Sequence, residues 1–327
     1  MAGQTPRILI VEPLDHIEVV ARWSRYFADE CKTEVILALN KGHFKWAEKA
    51  LPDFKCFSLV DIPVLLPEVD LTILVTIGNE PGKWWPLLSQ HRYWVVGHNL
   101  SHWLGGPIYD YRPKNLARII RDRWQRPKLL KLLQSAQYVL VPTYSMCDYL
   151  LRRRPEWPVV TLPFSFVPKG GEREHRQGDG SSLKIFIPGR IDTRFRDYRP
   201  VIEAIRLFPP NSQKITLVLA GRIVSQHIVN QFASMAPWLE LVYQQDGLDD
   251  QAFHRHLTDC DLVIAPLRWS VRSGAYREFL GHTKISGAIF DAIAANKVLL
   301  LPDWHPRVWS RQSGYGNGAD LIKLING

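Results

Sequence analysis

The chain has 327 residues, 46% of them hydrophobic and 22% charged, and a formal net charge of +9. That length exceeds one ordinary hydrophobic core, so two packed domains are expected, and the composition excludes a disordered chain. No run of about eighteen apolar residues occurs, which excludes a membrane-spanning helix, and Cys31, Cys56, Cys147 and Cys260 lie far apart without metal-ligand spacing, so reduced thiols and a cytoplasmic location are expected.

The first half repeats a short apolar run followed by a longer amphipathic stretch. The runs are RILIVEP from Arg7, EVILAL from Glu34, LTILVTI from Leu71, YWVVGHN from Tyr93 and YVLVPT from Tyr138. None alternates strictly, as expected of strands buried on both faces of a parallel sheet. Helical stretches such as 17–31 and 117–134 fill the gaps, which gives a β-α-β rhythm. Ligands of such sheets bind beyond the carboxyl ends of the strands. Candidates there are Asp15 and His16 after the first run, Asn79 and Glu80 after LTILVTI, and His98 and Asn99 after Gly97. Asp15 equally suits a helix cap, and a lone histidine is more often structural. From Arg112 to Lys131 eight Arg and Lys residues stand against the single acid Asp122, with Leu116, Ile119, Ile120 and Trp124 among them. Such a helix suits an anionic bilayer surface, or else packs its apolar stripe on its own sheet.

Between 168 and 182 the composition turns to PKGGEREHRQGDGSS, a linker. The expected domains are therefore 1–167 and 183–327. The strand theme then restarts with LKIFIPG, ITLVLAG, LELVYQ, DLVIAPL and KVLLLPD. Gly189 follows the first of these strands, and Arg190 and Arg196 on the next loop are placed to converge on one diphosphate; a solvated basic loop is the plain alternative. A later helix is expected to begin near 285–287, with Thr283, Lys284, Ile285, Ser286 and Gly287 at its entrance and Asp291 inside. Its first-turn N–H groups and Lys284 offer positive potential to a phosphate. Phe290, Ile293 and Ala294 are expected on its buried side.

In this order the second half resembles the GT-B glycosyltransferases related to family GT4: strand, Gly-Arg, basic loop, ITLVLAG, CDLVIAPL, and a helix reading DAIAANKVLLLP. The resemblance implies two Rossmann-like, doubly wound parallel-sheet domains facing a shared cleft, with a nucleoside diphosphate sugar as donor. It puts Arg190 and Arg196 on the donor diphosphate and Asp291 on the ribose, where the family has the second glutamate of an E-x7-E motif. Thr283 stands in place of the first glutamate, which leaves Lys284 or Glu278 to compensate. By position Gln245, Gly247 and Leu248 read the nucleobase, and His98 contacts the donor sugar or its phosphate. Asp15, His16, Asn79, Glu80 and Asn99 fall on the acceptor side.

The implied reaction moves glucose from UDP-glucose to a saccharide or lipid-linked saccharide in exopolysaccharide or envelope assembly, with retention of configuration. His98, Arg190, Arg196 and Lys284 are the expected catalytic groups, because fixed cations aimed at the leaving diphosphate stabilise its growing charge. No cofactor and no metal are expected, and no nucleic-acid partner; peripheral contact with an anionic membrane runs through 112–131. Neither opening βα turn carries G-x-G-x-x-G, which disfavours a nicotinamide-dependent oxidoreductase. A nucleotide-sugar-binding subunit without activity is the alternative.

Overall fold

A computed structural model describes residues 5–14, 16–78, 80–108, 111–167, 182–208, 214–235 and 239–326. The chain divides into two compact units, Met1–Phe166 with Ser273–Glu278, and Val167–Arg272 with Phe279–Gly327. Most of the expected linker, residues 168–181, lies outside the described residues, and Ser182 opens a strand.

The first unit runs β1 (Arg7–Glu12), α1 (Ile17–Asp29), β2 (Glu34–Leu39), α2 (Phe44–Ala50), β3 (Lys55–Ser58), α3 (Ile62–Leu65), β4 (Leu71–Leu74), α4 (Pro81–Leu88), β5 (Tyr93–Val96), α5 (Leu100–Leu104), α6 (Pro113–Ser135), β6 (Tyr138–Val141), α7 (Tyr144–Leu151) and β7 (Val159–Thr161). Its sheet has the order β3-β2-β1-β4-β5-β6-β7, and every pairing is parallel. Five successive residues of β1 and five of β2 are buried, because helices cover both faces of a parallel sheet.

The second unit, including the two strands that cross to the first, runs β8 (Ser182–Ile187), α8 (Arg199–Leu207), β9 (Lys214–Leu219), α9 (Gln226–Ala233), β10 (Leu239–Tyr243), α10 (Asp250–Asp259), β11 (Leu262–Ile264), β12 (Ser270–Ser273), β13 (Tyr276–Phe279), α11 (Gly287–Ala294), β14 (Val298–Pro302), β15 (Gln312–Tyr315) and α12 (Gly318–Asn326). Its parallel sheet is ordered β10-β9-β8-β11-β14-β15. Ile185, Leu217, Ile264, Val201, Ile205 and Phe232 belong to one core that joins this sheet to its helices.

Both sheets reverse their order beside the first strand, between β1 and β4 and between β8 and β11, and such switch points are where open α/β sheets bind ligands. Five strands and two helices depart from the expected pattern. Strands β3, β7 and β15 and the β12–β13 pair are short or polar and were not among the expected runs. In α11 Phe290 and Ile293 are buried as expected, whereas Ala294 is only partly so. The apolar residues of α6 separate: Ile119 is buried with Ala275 and Tyr276, while Leu116, Ile120 and Trp124 are 47%, 60% and 67% exposed. These three face solvent, and the buried leucines of α6 are Leu129, Leu132 and Leu133. Among the described residues no helix is long and apolar enough to cross a membrane.

Candidate functional site

The loop after β8 is stitched into the β8/β11 switch point. Asp197 N donates to Pro266 O at 2.7 Å, Arg268 N to Phe195 O at 3.1 Å, and Arg196 forms a backbone bridge with Leu267. The Arg196 side chain is thereby turned inward and is only 6% exposed. Its guanidinium lies on Gly189, which takes φ +78°: a Cβ there would stand 2.4 Å from Nη2. Only glycine combines that backbone with that space. Nη1 is enclosed without a hydrogen-bond partner. Burial lowers the pKa of Arg196, and the fields of Tyr198, Asp291, Tyr315 and Asp192 oppose that. An arginine stays charged even so, so a cation is held at the switch point with one donor unspent.

Gly189, Arg196 and Asp291 are thus brought into one neighbourhood. Arg190 is exposed, its guanidinium 5.7 Å from the Phe195 ring. Arg194 is spent on Asp192, which it grips with Nη2 at 2.6 Å and Nε at 2.9 Å; that bond holds the buried carboxyl below its ordinary range. Ahead of α11, Ser286 occupies the N-cap in extended backbone and makes no side-chain cap bond, and open space lies where a Cβ of Gly287 would be. Lys284 and Ile285 are half-buried on the loop before it. Thr283 is fully buried, and its Oγ1 accepts from Phe279 N at 2.8 Å. This hydroxyl fastens the loop.

Three strand ends are packed backbone to backbone beside this point. A Cβ on Gly221 would meet Gly189 C at 2.2 Å, and one on Gly247, at φ +91°, would meet Arg222 N at 2.8 Å. In the loop expected to read a nucleobase, Gln245 O accepts from Ile223 N at 2.9 Å, Leu248 N donates to Ala220 O at 2.9 Å, and Gly247 N donates to Gln244 O at 3.1 Å. These groups hold the loop against β9's end. One Asp-x-Asp spacing exists, Asp259-Cys260-Asp261, but Asp261 lies at the amino end of β11, where it accepts from Lys184 N at 2.7 Å. Among the described residues no cluster of three or more His, Cys, Asp or Glu could hold a metal ion.

The switch point of the first sheet carries different chemistry. Glu12 ends β1 fully buried and accepts from Leu14 N at 2.5 Å and Thr76 Oγ1 at 2.7 Å. Burial raises its pKa above the ordinary range, the two hydrogen bonds only partly opposing. His16, at the N-cap of α1, stacks on His98 with centroids 4.0 Å apart and planes within 5°. His98 Nε2 lies 2.8 Å from Val75 O, and since a carbonyl only accepts, that nitrogen carries the hydrogen. Two candidates from separate loops therefore meet face to face, beside a carboxyl that sequence reasoning passed over. The signal for Glu12 was available: an acid closing an otherwise apolar strand.

The remaining candidates fall elsewhere. Glu80 is exposed, 3.9 Å from Lys83 across one turn of α4. Asn99 is the N-cap residue of α5 and makes no side-chain cap bond. Asp15 and Asn79 lie outside the described residues. Glu278 is fully buried in the first unit, where its carboxylate accepts from Ser101 N at 3.2 Å and His102 N at 3.0 Å at the start of α5.

Two parallel, doubly wound sheets in this arrangement define the GT-B fold. Among solved structures the chain is similar to a glycosyltransferase from Rickettsia africae ESF-5, with TM-score 0.58 and 13% identity over 99% of this chain and 88% of that one. It is similar to Anabaena HepE in complex with UDP-glucose, with TM-score 0.55 and 11% identity over 98% and 88%. A Listeria monocytogenes protein assigned as a UDP-N-acetylglucosamine 2-epimerase gives TM-score 0.55 and 13% identity over 99% and 87%. No family model and no curated protein sequence matches the chain. At such identities the likeness establishes the fold, and the reaction must be argued from the site.

Proposed function

We propose that the protein is a glycosyltransferase that moves a sugar from a nucleoside diphosphate, with UDP-glucose as the donor, to a hydroxyl of a lipid-carried saccharide in polysaccharide assembly. Residues 183–327 take the donor, residues 1–167 the acceptor, and 168–182 join them. Arg196 carries this reading: a buried guanidinium with Nη1 unspent, seated on a left-handed glycine at the sheet's switch point. Burying a charge without a full set of partners is costly, and a diphosphate would supply the missing ones. The solved structures with UDP or UDP-glucose on the same fold agree with it.

Arg190, Arg196, Lys284 and the first turn of α11 stabilise the negative charge that grows on the departing diphosphate, so the step needs no metal. Asp291 accepts from the ribose hydroxyls, and Gln245, Gly247 and Leu248 flank the base. His98 faces the transferred sugar, which keeps its anomeric configuration, and His16 faces the glycosyl acceptor. Exposed Leu116, Ile120 and Trp124 on a basic helix suit docking at the cytoplasmic face of an anionic membrane, where a lipid-carried substrate resides.

Thr283 favours a second reading, a nucleotide-sugar-binding subunit without transfer activity, because a buried hydroxyl bonded to Phe279 stands where the resemblance has a carboxylate. Thermal unfolding with UDP, GDP and ADP tests the binding step: UDP raises the melting temperature, and Arg196→Met weakens its binding about tenfold or more. Gly189→Ala acts in the same direction by displacing Arg196. If none of the three nucleotides stabilises the protein, the reading is wrong. Release of UDP from UDP-glucose in the presence of a lipid-linked saccharide then separates the enzyme from the binding subunit.

A further inference from the structure

β11 and β14 are neighbours in the sheet of the second unit, and a tryptophan follows the carboxyl end of each, Trp269 after Ile264 and Trp304 after Pro302. The two indoles meet edge to face, with centroids 5.3 Å apart and planes at 88°. The His282 ring stands 5.3 Å from Trp269 at 66°, and the Phe279 ring 5.9 Å away. Three rings therefore fix the Trp269 side chain, yet it remains 45% exposed. A large apolar ring immobilised at the ligand edge of a parallel sheet and left open to solvent has the make-up of a stacking surface.

The backbone holds these rings together. Leu280 N donates to Trp269 O at 3.0 Å, which ties the loop bearing His282 to the segment after β11. Gly281, at φ +83°, lets that loop press on the segment after β14, since a Cβ there would stand 2.6 Å from Pro306 Cδ. Thr283 is turned inward onto Phe279 N, whereas His282 is only partly buried and its ring nitrogens make no hydrogen bond among the described residues. The platform adjoins the arginine loop: Leu267 bridges Arg196 and Arg268 N donates to Phe195 O, so Trp269 directly follows two residues that pair with that loop. Two residues of extended chain span at most about 7 Å, within reach of a sugar whose diphosphate rests on Arg196.

We infer that Trp269 stacks on the transferred pyranose of the donor and that His282 bonds a hydroxyl at the rim of that ring. Glucopyranose suits both groups. Its ring hydroxyls point outward near the ring plane, which leaves C–H groups on the faces for an indole and hydroxyls at the edge for an imidazole. The inference rests on the glycosyl-transfer reading and makes Trp269 the residue that recognises the sugar, as Arg196 is the one that takes the diphosphate.

Calorimetry on the full chain with UDP and with UDP-glucose, in the absence of an acceptor, tests it. Trp269→Ala weakens UDP-glucose about tenfold and leaves UDP within about twofold, because only the sugar touches the indole. Trp269→Phe, which keeps a smaller ring, loses less. His282→Ala weakens UDP-glucose several-fold with UDP again unchanged, and it decides the matter if Trp269→Ala does not fold. A ring that only filled space would instead lower the melting temperature on truncation and affect both ligands alike. UDP and UDP-glucose weakened to the same extent, neither weakened, or UDP-glucose not bound where UDP is, overturns the inference. If UDP itself fails to bind the wild type, the donor reading fails and the stacking falls with it.

Discussion

His305 packs against Gly281, in the loop that leads into α11, where a Cβ would lie 3.0 Å from its Nε2. Its Nδ1 donates to Pro306 O at 2.9 Å, so the enclosed Nε2 is the nitrogen without hydrogen. Burial pushes its pKa down from 6.5 to about 4, with the Pro306 bond opposing and the His282 charge assisting. The unfolded chain therefore takes up this proton first as pH falls. The contribution is complete above the unfolded value and is lost on acidification toward the folded one. Between pH 7 and pH 5 the wild type should lose about 2 kcal/mol that His305→Gln, which does not titrate, retains. Urea unfolding at the two pH values measures it, and equal losses in both proteins would show that His305 is not held neutral. Single residues differed in how plainly the sequence announced them. Gly189 and Arg196 were singled out in the sequence as a glycine closing a strand and an arginine on the next loop, with a solvated loop as the alternative, and the inward turn of Arg196 onto Gly189 is what the structure adds. Thr283 and Glu278 were not, since their partners, Phe279 N and the first N–H groups of α5, are fixed by loops and a strand pair that no periodicity reveals.

Long, strongly patterned elements were readable, and short ones were not. The buried runs of β1, β2, β8, β9 and β14 appear in the sequence as unbroken apolar stretches, whereas β7 has three residues and β15 reads QSGY. For α6 composition gave the basic helix but left its apolar face undecided, because spacing alone does not say whether a stripe meets a sheet or solvent. Leu116, Ile120 and Trp124 stand at i, i+4 and i+8 on the solvent side, and Lys128 Nζ lies 4.3 Å from the Trp124 ring centroid. Large apolar side chains ringed by cations suit the boundary of a negatively charged bilayer, where each cation near the surface adds roughly 1 kcal/mol. The protein should therefore sediment with phosphatidylglycerol-containing vesicles and not with pure phosphatidylcholine. Ile120→Ser with Trp124→Ser should reduce the bound fraction several-fold without changing the melting temperature, since neither side chain belongs to a core. Equal sedimentation of wild type and double variant would remove α6 from membrane contact.

At the scale of the whole molecule the two sheets share one winding: relabelled from its first strand, each reads 3-2-1-4-5-6, and the first adds a seventh strand. A duplicated architecture makes the difference between the two switch points informative. The first is lined by Glu12, His16 and His98, a cluster able to hold or move a proton, and the second by Arg196 with Asp291 in its field. Phosphate needs fixed positive charge, and a hydroxyl that must lose its proton needs a base, so like folds are set up for unlike ligands. Hydrogen exchange on the full chain, with and without UDP, tests this division directly. UDP should slow exchange at 187–198 and 281–292 in the second unit and leave 8–14 and 93–106 in the first unchanged, because bound ligand raises the cost of opening only where it makes contacts. Protection concentrated at His98 and the end of β1 would mean that the nucleotide sits on the first sheet, and the roles given to Arg196 and Asp291 would fall with it.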